Sequence, residues 1–328
     1  MDKAIIETDE KVGLVSMLLQ GTLIKPVKEN PDLEPLPDSR IKMELVYNRI
    51  PFCKILFMLN LTTGIMGLVF LLFRYMKGKR CRSGNYVMKG MSLLLYTGTG
   101  IHSIGYIIHW YIAGHIPLSN GYETMLFMAL SILVLACMMH RRYGFMVPFG
   151  LLLSGFTLLV AYIGQKNPQI TPLMPVLQSP WLSSHVSLIM MSYALFALMM
   201  FNGILAIALI IHTRRRFTVD TVYQRQQIRQ LTFLNRIMLY PAEFLLGIGI
   251  FLGAVWANES WGRYWAWDPK EVWALVTFMV YGAAFHLKTL KSFRKPLFYH
   301  TYLVLSFLTI LMTYFGVNYF LGGMHSYA

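Results

Sequence analysis

Charged side chains are scarce. They make up 13% of the 328 residues against 56% hydrophobic, and the mean hydropathy is positive, which excludes an ordinary soluble globular protein. Cysteine is rarer still: Cys53, Cys81 and Cys137 stand apart with no CxxC or CxxCH spacing. That excludes a disulfide framework, a zinc ribbon and a thioredoxin-type redox pair, and leaves the three as packing residues. Acids are few, 15 against 29 Lys and Arg, for a formal net charge of +14. The bases sit at the ends of apolar runs and not over a soluble face, so nucleic acid is not expected as a partner. No short basic and apolar stretch with a small-residue cleavage site opens the sequence, so an ordinary signal peptide is not expected either.

What remains is an all-α polytopic membrane protein. A hydrocarbon core about 30 Å thick needs roughly 20 apolar residues as helix, and eight segments qualify, near 52–73, 88–110, 121–139, 145–163, 182–211, 237–257, 272–288 and 297–316. Lys and Arg in short connections favour the cytoplasm. Residues 74–89, 140–144, 212–236 and 286–296 are rich in them, whereas the other connections and the C-terminal tail carry only Lys166, Arg263 and Lys270. The odd-numbered connections therefore face inward, and both chain ends and the loop WGRYWAWDPKE at 261–271 face outward. The stretch up to Glu44 differs: nine acids against six bases, with four prolines, reads as an external polar arm. The basic segment 212–236, interleaved with Phe217, Val219, Val222, Ile228 and Leu231, is expected to lie as a helix at the anionic inner leaflet.

Nine histidines are the candidates for chemistry, because ionisable groups at membrane depth or edge are costly. His140 and His212 sit beside arginines at inner span ends, where a snorkelling interface residue is the plain reading. His102 and His109 on the second span fit hydrogen-bonded core residues, and His115 lies in a loop. His300 starts the eighth span. His286 ends the seventh, 15 residues past Glu271, roughly 22 Å deeper at 1.5 Å per residue. His185, four residues into the fifth span, and His325, near the C-terminus, both fall at the outer surface. An imidazole from each side is what a planar iron porphyrin takes axially.

The outer loop supplies flat rings. Trp256, Trp261, Tyr264, Trp265, Trp267 and Trp273 fall within 18 residues, more than an interfacial aromatic belt explains. Such rings can stack on a porphyrin and exclude water. Arg263 and Lys270 add two cations suited to its propionates. Asp268, Pro269 and Glu271 form a helix-start signature of N-cap, first helical residue and N3 carboxylate, so their plainer role is to fix the loop; proton transfer is the alternative.

WGRYWAWDPKEVWAL resembles the tryptophan-rich signature of heme-handling membrane proteins, and its Asp-Pro-Lys-Glu continuation resembles the CcsA (ResC) family of System II cytochrome c biogenesis. IPLSNGYETMLF at 116–127, WLSSHVSLIMMSYALF at 181–196 and GVNYFLGGMHSYA at 316–328 agree with that family in order. The resemblance implies heme b as cofactor, with His185 and His325 as axial ligands of an external site. The loop residues Trp261, Tyr264, Trp265, Trp267 and Asp268, with Arg263 and Lys270, would present the porphyrin there. It also implies an inner heme site to which His286 contributes, its second ligand coming from a CcsB (ResB)-type partner. LPDSRIKMELVYNRIPFCK at 36–54 resembles the end of that partner's external domain. The chain is thus divided into an external arm at 1–50, a first transmembrane helix with its inner loop at 51–82, and a CcsA-like heme-handling domain at 83–328. Further implied partners are apocytochrome c with CxxCH, thiol-reducing proteins and membrane lipid, at a bacterial cytoplasmic membrane. The implied function is presentation of heme for thioether attachment. The alternatives are a heme exporter of the CcmC type, which passes heme to a chaperone, and a b-type electron-transfer subunit, which needs histidine pairs within spans.

Overall fold

The structure, a computed structural model, describes residues 38–77, 83–164, 179–215, 221–286 and 289–321. Cys81, Lys166, Phe217 and His325 lie outside them. The described residues are helical, with no strand among them. The chain divides into two compact units, Met1–Val46 and Tyr47–Ala328. Of the first unit, only the start of helix α1 (Asp38–Arg49) is described.

The second unit contains α2 (Phe52–Lys77), α3 (Ser83–Ala113), α4 (Gly121–Met139), α5 (Met146–Gly164), α6 (Pro180–Arg215), α7 (Thr221–Trp261), α8 (Pro269–Ala283) and α9 (Pro296–Leu311). A single 3-10 turn, Lys291–Arg294, precedes α9, and a π-helical segment, Met312–Leu321, continues it. Helices α6 and α7 pack along much of their length, α5 lies between α2 and α4, and α9 runs against α6. Small residues permit the closest of these approaches. A Cβ at Gly64 of α2 would stand 2.4 Å from the Leu152 nitrogen of α5, and one at Gly155 of α5 would stand 2.6 Å from the Leu61 nitrogen, the packing expected where van der Waals contact replaces hydrophobic drive.

Six helices, not eight, are long and apolar enough to cross a membrane among the described residues: Phe52–Tyr75, Gly121–Met139, Met146–Gly164, Pro180–Arg214, Val222–Trp261 and Pro296–Asn318. The other two expected spans are helices, but each falls short for a physical reason. Ser, Thr, Gly and His dilute α3 between Thr97 and Gly105. Helix α8 has 15 residues, roughly 22 Å of rise against about 30 Å of hydrocarbon. The basic segment also departs from expectation. From Thr221 it is the first half of a continuous 41-residue α7, not a separate surface helix. Its inner face is buried at Gln224, Gln227, Ile228 and Leu231, and the Gln224 amide donates to the Tyr75 carbonyl at 3.1 Å.

Candidate functional site

Two capped helix starts build the end of the bundle that carries the tryptophan-rich loop. Asn120 caps α4 by accepting the Glu123 amide at 2.9 Å. The Glu123 carboxylate accepts the Ser119 amide at 2.8 Å and hydroxyl at 2.6 Å, while its other oxygen meets His109 Nε2 at 3.2 Å. These contacts fix the loop 118–121 from beneath. At α8, Asp268 accepts the Lys270 amide at 3.0 Å. Glu271 reaches back to the amides of Ala266 at 2.8 Å and Asp268 at 3.2 Å, a complete capping box with Pro269 at the first helical position. Both carboxylates thus do the cap work that the sequence pattern indicates.

Between α7 and this box the chain turns sharply. Gly262 leaves α7 at φ +72° with its amide on the Asn258 carbonyl at 2.9 Å, a left-handed cap that glycine adopts without penalty. Trp267 also has positive φ, 59°, which costs a bulky residue about 1–3 kcal/mol and persists only where the surroundings enforce it. The capping box immediately after it is that enforcement. The Trp267 ring is 73% exposed and meets Trp265 edge-on at 6.0 Å. Trp261 meets buried Trp256 edge-on at 4.8 Å.

A cavity of about 260 Å³ lies beneath this loop. Its walls come from segments far apart in sequence: Ser119, Asn120 and Gly121; His185 and Tyr193 of α6; Gly253 and Trp256 of α7; Tyr264, Trp265, Lys270 and Glu271; and Thr313, Tyr314 and Asn318 of the π-helical segment. Tyr314 also ties its segment to α4, 3.3 Å from the Thr124 hydroxyl.

His185 is oriented by α7. Its Nδ1 lies 2.6 Å from the Gly249 carbonyl, and since a carbonyl only accepts, Nδ1 carries the proton and Nε2 the lone pair. Gly253 makes room for the ring: a Cβ there would stand 2.7 Å from Nδ1 and Cε1. Burial holds Lys270 below the ordinary lysine range, with Asp268 opposing the shift.

Of the sequence candidates, the structure brings His185, Tyr264, Trp265 and Lys270 to the cavity wall, with Asp268 buried as the cap beside them. Trp261 and Trp267 back the wall rings, and Arg263 is exposed off the walls. His286 is exposed in the turn after α8, away from this cavity. His325 lies outside the described residues, seven positions beyond Asn318. Other histidines are committed to the bundle. His102 donates Nε2–H to the Leu126 carbonyl at 3.0 Å. His300 accepts from the Asn235 amide at 3.4 Å and meets the Thr232 hydroxyl at 2.9 Å. Sequence reasoning passed over Asn120, Tyr193, Gly253 and Tyr314. The Asn-Gly-Tyr-Glu start of α4 was a readable cap; the other three show no local signal.

The family described as Cytochrome C assembly protein matches residues 118–325. The chain belongs to that family. This cytochrome c assembly protein is 36% identical over 296 residues to protein NrfI of Wolinella succinogenes, covering 89% of this chain and 32% of that protein. It therefore spans about a third of NrfI's length. It is 34% identical to the cytochrome c biogenesis protein CcsA of Nymphaea alba, over 73% of this chain and 84% of that one. To CcsA of Guillardia theta it is 33% identical, over 66% and 78%. It is an integral membrane protein of cytochrome c biogenesis. The match opens at Leu118, on the cavity wall, and so takes in the loop 118–121 as well as the tryptophan-rich segment.

Proposed function

We propose that this cytochrome c assembly protein binds heme b in the outer cavity and presents it for thioether attachment to the CxxCH thiols of an apocytochrome c, as a System II component. One observation carries the reading: His185, the tryptophan-rich loop and the C-terminal segment converge on one cavity from separate parts of the chain.

The wall fits the group. When bound, heme supplies an iron that takes imidazole axially and two vinyl groups that accept thiols. His185 offers Nε2, its ring fixed and made more basic by the Gly249 carbonyl. Trp256, Tyr264 and Trp265 offer apolar faces that exclude water. Lys270, partly desolvated, offers a cation to a propionate, and Arg263, exposed on the same loop, is the second cation of this reading. Asp268 and Glu271 hold the loop in place through the cap. His325, seven positions beyond Asn318 in the sequence, would supply the second imidazole.

His286 serves an inner heme site completed by a CcsB (ResB)-type partner, and its exposure at the end of α8 suits a shared ligand. The cavity faces the periplasmic side of a bacterial inner membrane, as the Lys and Arg asymmetry indicates. A b-type electron carrier is disfavoured because both ring nitrogens of His300 lie against protein groups within the bundle, Thr232 and Asn235.

Co-expression of the chain with a CcsB-type partner and an apocytochrome tests this, with covalent heme read by peroxidase stain. Covalent product without a dedicated heme chaperone is expected. Product that appears only when a heme chaperone is added would instead support an exporter.

A further inference from the structure

Glu243 sits on α7 inside the span Val222–Trp261, two residues after Pro241, and is 5% exposed. Neither carboxyl oxygen has a hydrogen-bond partner. Opposite it on α8, Gly282 leaves space that a Cβ would enter to 3.3 Å from Oε1. Its neighbour Tyr281 is fully buried, with a hydroxyl that likewise has no partner. The Tyr281 ring is fixed by a stack on Phe196 of α6, with centroids 3.8 Å apart.

Two hydroxyls on the neighbouring helices are committed to backbone carbonyls. Tyr302 of α9 donates to the Val280 carbonyl at 2.7 Å. Ser192 of α6 donates to the Ala242 carbonyl at 2.7 Å. The nearest basic side chain along α7, Arg236, is two turns away and lies over the Tyr299 ring of α9 at 5.6 Å. An ionised carboxylate buried in a bundle with neither cation nor donor is far costlier than the neutral acid.

We propose that Glu243 is a proton-binding site within the membrane-spanning bundle: a neutral carboxylic acid beside the Tyr281 hydroxyl that takes up and releases one proton. On release, the carboxylate would need a donor, which the unpartnered Tyr281 hydroxyl supplies once it closes on it. The route of exchange points to the outer cavity. Thr277 stands one helical turn nearer the tryptophan-rich loop than Tyr281. Its hydroxyl is 3.3 Å from that of Thr313, and Thr313 and Tyr193 line the cavity. The site holds whether or not that cavity binds heme. Its chemistry suits a group that yields or takes a proton when charge enters or leaves the bundle.

Dicyclohexylcarbodiimide, a membrane-soluble reagent that adds to protonated carboxyls and not to carboxylates, tests the proposal on the full chain in membranes. Labelling of the Glu243 peptide is expected at neutral pH, falling about tenfold per pH unit once the carboxyl ionises, and no labelling in Glu243→Gln. Infrared spectroscopy covers a reagent that fails to reach the site. The carbonyl stretch of a protonated carboxyl should be present in the unsubstituted protein at neutral pH, vanish at high pH, and be missing in Glu243→Gln. Its shift in D2O should slow severalfold in Thr277→Val. An unlabelled Glu243 with no carboxylic band at neutral pH overturns the proposal, as does labelling blocked by Na+ but not by choline, which would mark an alkali-cation site. An unchanged D2O rate in Thr277→Val overturns the outward route.

Discussion

His185 and Gly253 act as a pair. The imidazole can lie against α7 only because residue 253 has no Cβ, which would stand 2.7 Å from two ring atoms, and the Gly249 carbonyl then sets the tautomer. Gly253→Ala should therefore turn the ring and lower covalent heme yield at least severalfold while the bundle remains folded; peroxidase-stained cytochrome against chain abundance measures it. Lys270 carries a pH dependence. Burial lowers its pKa, and a propionate needs the charged form, so heme affinity should fall as pH rises through that depressed value. Lys270→Met should flatten the fall, as optical titration of heme against pH will show. That His185 falls near the end of its helix, level with the tryptophan-rich loop, was readable from its place in its span. The glycine facing it was not, because a residue that functions by having no side chain leaves no pattern in its own sequence neighbourhood.

The start of α8 separates two roles that look alike in sequence. Asp268 accepts the Lys270 amide, and removing such a cap costs about 0.5–2 kcal/mol. Asp268→Ala should lower thermal stability by that order and loosen the tryptophan-rich loop, whereas Asp268→Asn keeps an acceptor oxygen and should keep near-full cytochrome yield. A large loss in Asp268→Asn with stability intact would instead give the ionised carboxylate a direct part in the chemistry. The Asp-Pro-x-Glu pattern made this helix start legible, and Gly121–Met139 likewise begins and ends where its apolar run does. Helix α7 was less legible. Its first half carries Gln and Arg, which a hydropathy reading treats as loop, yet no Gly or Pro interrupts the chain between Thr221 and Tyr240. Continuity was decided by backbone and by burial of Gln224 and Ile228, neither of which hydropathy counts.

The described residues of Tyr47–Ala328 form a membrane helix bundle with a cavity under the tryptophan-rich loop. The number of spans follows from apolar length, and the two shortfalls, α3 and α8, are a diluted helix and a short one. The convergence of separate sequence stretches on one cavity could be anticipated only as placement at a shared end of the bundle, because depth is readable from span counting and lateral neighbourhood is not. Glu243 shows the same limit: that its carboxyl is buried against Gly282 is visible only once α8 is packed on α7.

The optical spectrum of heme co-purified with the chain, recorded in a His286→Ala background so that the outer site alone contributes, tests outer-site ligation most directly. Heme with two axial imidazoles should be present, and should be lost or change coordination when His185→Ala is added, while His140→Ala leaves it unaltered. An unchanged spectrum and occupancy in the His185→Ala protein would contradict the assignment of this cavity as the heme site.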